Sequence, residues 1–207
     1  MGPTVVLIGP IAAGKSTVGA VLSELLGVPQ VSMDDVRWAY FAELGYDRAE
    51  AERQSLQGRT VAEKLAYGKP YEVHSIERVL ADRPGFVIDL GASNSVYDDD
   101  AQFERVRRAM TDARVVLVLP LPDVDASSVV LMERLRAIVH AKGEELSQQL
   151  LDFDDYFLRH PSNQRLADLA VYTEGRSPRA VAEEIVAWLG PGASGLDGRA
   201  RADEDRR

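Results

Sequence analysis

The sequence predicts a doubly wound α/β fold, a parallel sheet covered by helices on both faces. Three observations carry that prediction. Five short apolar runs read as strands, at 4–8, 28–33, 86–90, 114–119 and 169–173. Helical patterns lie between and after them, at 17–26, in pieces over 35–66, and at 71–82, 100–111, 127–150 and 178–189. Strands that alternate with helices pair in parallel, and ligands then bind at the carboxyl ends of the strands. The third observation is the loop Gly9-Pro10-Ile11-Ala12-Ala13-Gly14-Lys15-Ser16, a full match to G-x-x-x-x-G-K-[ST], set between the first strand and the first helix.

Thr4-Val5-Val6-Leu7-Ile8 is apolar and β-branched, as a strand buried on both faces requires. After the loop, Val18, Val21, Leu22, Leu25 and Leu26 recur at helical spacing. Strand, glycine loop and helix together form a phosphate-binding site. Backbone N–H groups and the helix N-terminus face an anion of several charges. Gly9 and Gly14 permit the backbone conformation and the close approach. Ile11, Ala12, Ala13 and Thr17 complete the nucleotide-binding segment. Lys15 reaches the β- and γ-phosphates, and the Ser16 hydroxyl ligates Mg²⁺. A nucleoside triphosphate is the expected ligand.

Asp34 and Asp35 follow the second strand, where the sheet aims one of them at the phosphates. One carboxylate accepts or orients an acceptor hydroxyl proton, while the other suits the start of a helix. Asp34 is the preferred working residue. Asp89 closes Phe86-Val87-Ile88, the position of a second metal-proximal group in P-loop enzymes. The small polar stretch Gly91-Ala92-Ser93-Asn94 lets a substrate approach the backbone. Arg134 and Arg136, on the helical segment after the fourth strand, are candidates to stabilise charge on the transferred phosphoryl group. The polar stretch 141–155 reads as a lid or as an exposed helix face. His74 and His160 have no partner at metal-ligand spacing. Ser177 followed by Pro178 is a helix start signal.

Bulk properties limit the partners. The chain has 207 residues, which suits one domain with a sizeable core. A net charge of −9 without a basic cluster ahead of the tail speaks against a nucleic-acid partner. No cysteine is present, so disulfides and thiolate metal sites are excluded. No targeting segment opens the sequence and no apolar stretch approaches 18 residues, so a cytoplasmic protein with no membrane partner is expected. Residues 191–207 have the composition of a disordered tail. Oligomeric state is not legible.

The chain resembles the shikimate kinase family, within the small-molecule P-loop kinases that include gluconate kinases. The resemblance spans about 4–189 and is strongest over Gly9 to Gly19, over Arg159-His160-Pro161 to Ala167-Asp168, and over Val171 to Pro178. It implies a three-layer P-loop kinase fold with a five-stranded parallel sheet over 1–190, substrate-binding helices at about 35–80, and a lid at about 121–158. It also implies ATP and Mg²⁺ as cofactors. By this match Asp34 contacts the substrate hydroxyl, Arg159 grips the substrate carboxylate, and Arg176 lies near the adenine. Arg37, His74 and Gly91 complete the expected substrate set. The chain departs from the pattern at four places. Ser32 stands where the first of two family aspartates is expected, and His74 where an arginine is expected. Leu90-Gly91-Ala92, after the added Asp89, replaces a triple glycine, and the lid lacks Arg-Pro-Leu-Leu. These changes point to a hydroxylated small molecule other than shikimate. Two other readings stay open. One is a nucleoside or nucleotide kinase that stacks a base on Trp38, Tyr40 and Phe41. The other is a nucleotide-dependent switch with a protein partner.

Overall fold

The computed structural model describes residues 2–57 and 60–191, so the expected tail lies almost wholly outside the described residues. Five parallel strands run in the order β2-β3-β1-β4-β5: β1 (Thr4–Ile8), β2 (Gln30–Ser32), β3 (Val87–Asp89), β4 (Ala113–Leu119) and β5 (Leu169–Tyr172). The central strand β1 pairs with β3 (Val6 with Ile88) and with β4 (Val6 with Val115). Val5 to Ile8 are fully buried, which is why this run is continuously apolar.

Among the described residues, ten α-helices connect and cover the sheet. They are α1 (Lys15–Leu26), α2 (Met33–Glu43), α3 (Arg48–Gln57), α4 (Val61–Leu65), α5 (Lys69–Asp82), α6 (Asp100–Ala109), α7 (Val124–Ala141), α8 (Gln148–Arg159), α9 (Ser162–Leu166) and α10 (Pro178–Leu189). A 3₁₀ turn spans Ala92–Ser95. Right-handed crossovers put α1 on one face and α5 and α6 on the other. The packing agrees: α1 lies against α10, and α5 against α6. Chain direction across the sheet reverses at β1, so the loops after β1 and β3 flank a crevice at the topological switch point. Asp168 fastens the far edge, its backbone N–H donating to Val115 O and its carboxylate accepting from Val115 N.

The segment expected as one helix over 127–150 is two. α7 ends at Ala141, and Gly143 takes a left-handed φ of 73° that a helix cannot continue through. Ser147 then caps α8 by accepting from Leu150 N. α8 buries Asp154, Phe157 and Leu158, so this part of the expected lid packs on the body. Among the described residues, no helix is long and apolar enough to cross a membrane.

Candidate active site

The loop after β1 is shaped by backbone constraints. Gly9 has φ 136°, and a Cβ there would lie 2.4 Å from the Val118 carbonyl oxygen. Gly14, at φ 102°, opens α1 without a side-chain cap, so the first N–H groups of α1 are free for an anion. Ala12 also holds a positive φ of 58°, a conformation L-residues avoid and loops retain where the surroundings enforce it. The enforcement is visible. Ile11 N–H donates to Asp154 Oδ1 (2.8 Å), Arg134 Nη1 donates to the carbonyls of Ala12 (3.2 Å) and Ala13 (3.5 Å), and the Thr173 hydroxyl donates to Ala13 O (3.1 Å).

Lys15 starts α1 and is buried, its Nζ donating to Gly9 O (3.0 Å) and Pro10 O (2.8 Å). Burial pushes the ammonium below its ordinary value, and the charges of Asp89, Asp154 and Asp34 push it back up. Three carboxylates around this ammonium and the Arg37 guanidinium leave the site in net negative charge. The strain shows on Asp89: burial raises its carboxyl above the usual range, although Lys15 and the Ser16 hydroxyl oppose this. Ser16 Oγ donates to Asp89 Oδ2 across the junction of α1 and β3. A hydroxyl and a carboxylate in contact, beside surplus negative charge, fit a Mg²⁺ that also takes phosphate and water oxygens. No group of three or more His, Asp or Glu suited to hold a metal alone occurs among the described residues.

Asp34 stands in the first turn of α2, paired with Arg37 Nη1 at 3.1 Å, while Ser32 occupies the N-cap position. A Cβ added at Gly91 would lie 2.8 Å from Asn94 Oδ1 and 3.3 Å from Asp34 Oδ1, so both acceptors face one point above Gly91. Asn94 is buried and its Oδ1 has no hydrogen-bond partner. A buried acceptor is seldom left so. Composition marks 91–94, Asn94 included, as a small polar stretch, but does not show which way the amide points.

Other expected site residues lie elsewhere. Arg134 embraces the back of the loop and pairs with Glu174 (2.7 Å). Arg136 is exposed, with its guanidinium 3.8 Å from Met132 on its own helix, because two positions along α7 is more than half a turn away from Arg134. Arg176 donates to Tyr172 O and Ala180 O and pairs with Glu184, which turns it onto α10. His74 Nε2 lies 2.7 Å from Glu43. Arg159 is engaged by Asp155 and Asp125. Tyr40 is buried and donates to Asp82, so it leaves the aromatic cluster proposed for Trp38, Tyr40 and Phe41. In its place Tyr46, Tyr67 and Tyr71 join Trp38 and Phe41 in a chain of ring contacts at 4.8–5.9 Å. These rings come from three separate segments, which no local pattern connects. A second unforeseen feature is the buried pair Lys69–Glu72 (2.8 Å), tied to the turn after β3 through Ser93 O and Ser93 Oγ.

Asp154 yields a pH prediction. Burial raises its carboxyl from an ordinary 3.8 to about 6, against the Ile11 N–H and Lys15. A carboxyl whose folded value lies above its unfolded one penalises folding once ionised, so its contribution to stability falls as pH rises from about 4 to about 6 and stays low above. Asp154→Asn keeps an acceptor for Ile11 and removes that charge. Denaturant titration at pH 4.5 and 7.5 should show the variant gaining on the parent at the higher pH, by at most roughly 3 kcal/mol. Equal differences at both pH values would overturn the assignment.

A loop of this geometry at the switch point of a parallel sheet defines a P-loop nucleotide-binding protein. No family model matches the chain. The shikimate kinase of Salinispora arenicola (strain CNS-205) is 30% identical over 194 residues, 91% of this chain and 99% of that protein. The chain therefore belongs to the shikimate kinase family, and it is a small-molecule kinase, a phosphotransferase. Solved structures share the fold. Shikimate kinase from Acinetobacter baumannii in complex with shikimate superposes with a TM-score of 0.59 at 20% identity, covering 91% of this chain and 93% of that one. A gluconokinase from Sinorhizobium meliloti 1021 gives 0.56 at 18% identity, covering 95% and 97%.

Proposed function

We propose that the enzyme transfers the γ-phosphate of ATP, with Mg²⁺, to a hydroxyl of a small molecule other than shikimate. The observation that carries the reading is the grouping of buried Lys15, the Ser16–Asp89 contact and the Asp34 carboxylate above Gly91. Lys15 and the N–H groups opening α1 hold the β- and γ-phosphates. Ser16 and Asp89, directly or through water, would hold Mg²⁺, whose chemistry is to neutralise charge on the β/γ oxygens. Asp34 orients the acceptor hydroxyl and takes its proton as the new O–P bond forms and the bond to the β-phosphate oxygen breaks. Arg134 keeps the loop in its strained shape. An acceptor other than shikimate is supported by His74 and Arg159, since both residues matched to carboxylate binding are occupied by acidic neighbours.

ADP release from ATP, with and without Mg²⁺, tests the reading over shikimate, gluconate, nucleosides and hydroxylated aromatic compounds. One acceptor should stimulate release, and Lys15→Ala should remove the stimulation. Shikimate as the preferred acceptor would overturn the substrate part, and no stimulation by any compound would overturn the kinase part. With the acceptor in hand, Asp34→Asn should lower kcat by about a hundredfold or more with little change in KM for ATP. Retention of kcat within a few-fold would remove Asp34 from the chemistry.

A further inference from the structure

Beside Asp34 opens a cavity of about 440 Å³, the size of a small-molecule site. Its inner end is Glu72 and Ser93, the latter two residues beyond Gly91, and Arg37 links its wall to Asp34. The cavity thus neighbours Asp34 through Arg37 and the turn after β3 through Ser93. Trp38, Phe41, Tyr46 and Tyr67 form one wall, a concentration of rings in a chain with only 7% aromatic residues. Trp38 is 44% exposed, an indole presented rather than packed away.

The charges on this wall are unbalanced. Arg37 is paired with Asp34, and Glu72 with Lys69. That leaves Arg48 and Lys64 against the single carboxylate of Glu52, and neither cation has an ion-pair partner among the described residues. Arg48 rests 5.7 Å from the Trp38 ring, and the Arg37 guanidinium 4.7 Å from it. Arg37 Nε is buried without a hydrogen-bond partner, a donor with nothing to donate to. Cations held over an aromatic wall, in a protein of net charge −9, suit a ligand that is both flat and anionic.

We infer that the acceptor is a hydroxylated compound with a planar ring and an anionic group, the ring stacked on the wall of Trp38 and Tyr46 and the anion held by Arg48 and Lys64. The inference rests on the kinase reading above and deepens it. Aromatic hydroxy acids and nucleoside monophosphates share this chemistry, and the choice of acceptors separates them.

The test measures ADP release over four acceptor sets. They are hydroxybenzoates, their methyl esters, the non-aromatic acids shikimate and gluconate, and nucleoside 5′-monophosphates. In parallel the same compounds are titrated against Trp38 fluorescence in a Trp188→Phe background, which removes the only other tryptophan. A planar anion should be the preferred acceptor and should quench Trp38. Trp38→Leu should raise its KM about tenfold, with the change on KM rather than kcat. Arg48→Gln with Lys64→Gln should erase the preference for a hydroxybenzoate over its ester, or for the monophosphate over its nucleoside. A non-aromatic acceptor whose KM ignores Trp38→Leu would overturn the inference while leaving the kinase reading intact. If no acceptor is phosphorylated the kinase reading fails. The inference is then judged on fluorescence, and absence of quenching by every planar anion overturns it.

Discussion

Lys15→Ala is expected to abolish turnover, with kcat falling by about a thousandfold or more while the protein remains folded. The ammonium is buried at the mouth of α1 and faces Asp34, Asp89 and Asp154, of which Asp34 is also paired with Arg37. Without it, β- and γ-phosphate charge would meet Asp89 and Asp154 with no ammonium between them. The fold should tolerate the change, because the lost hydrogen bonds to Gly9 O and Pro10 O are offset by no longer burying a charge. The check pairs single-turnover ADP formation with thermal unfolding of the same preparation. Full activity would overturn the assignment of the loop. A collapse of the unfolding temperature would show that Lys15 is chiefly structural.

Gly9→Ala should have the largest effect on stability, about 3 kcal/mol or more, together with loss of nucleotide binding. The residue sits at φ 136°, and its Cβ would lie 2.4 Å from the backbone oxygen of Val118. That neighbour is backbone, not a flexible side-chain end. Relief requires the loop to lift from β4, and that movement would carry Lys15 and the free N–H groups off their positions. Gly14→Ala is the useful comparison. It also has a positive φ, but its Cβ would meet only the Thr173 methyl, at 3.6 Å. Chemical denaturation should therefore rank Gly9→Ala as much the more damaging. Equal losses would mean that backbone strain alone, and not contact with β4, sets the requirement for glycine.

The parts of this protein that were legible in its sequence are those in which neighbouring residues carry the whole signal. The strands β1 and β4 fell where continuous apolar runs stand, because a central parallel strand is buried on both faces. The loop motif was equally legible, since its spacing and its chemistry are local. Asp89 was marked for the metal side of the site, and the structure brings it against Ser16 from a strand 73 residues away. Where one local pattern served two outcomes, the reading went astray. Residues 127–150 have helical periodicity throughout, yet Gly143 and the Ser147 cap divide them. Arg134 and Arg136 look equivalent in a row of letters, but only one faces the loop.

The sequence by itself determined the phosphate-binding loop, the parallel α/β architecture and the class of chemistry, because each depends on spacing along the chain. Tertiary structure alone decided which charges are free and which are spent. His74 and Arg159 are taken up by Glu43, Asp125 and Asp155, while Asn94 Oδ1 and the Arg37 Nε lack a hydrogen-bond partner. It also gathered Trp38, Tyr46 and Tyr67 from separate segments into one wall. The physical reason is that ion pairs and ring contacts act over a few ångströms between residues tens of positions apart, so substrate recognition is written in packing rather than in order.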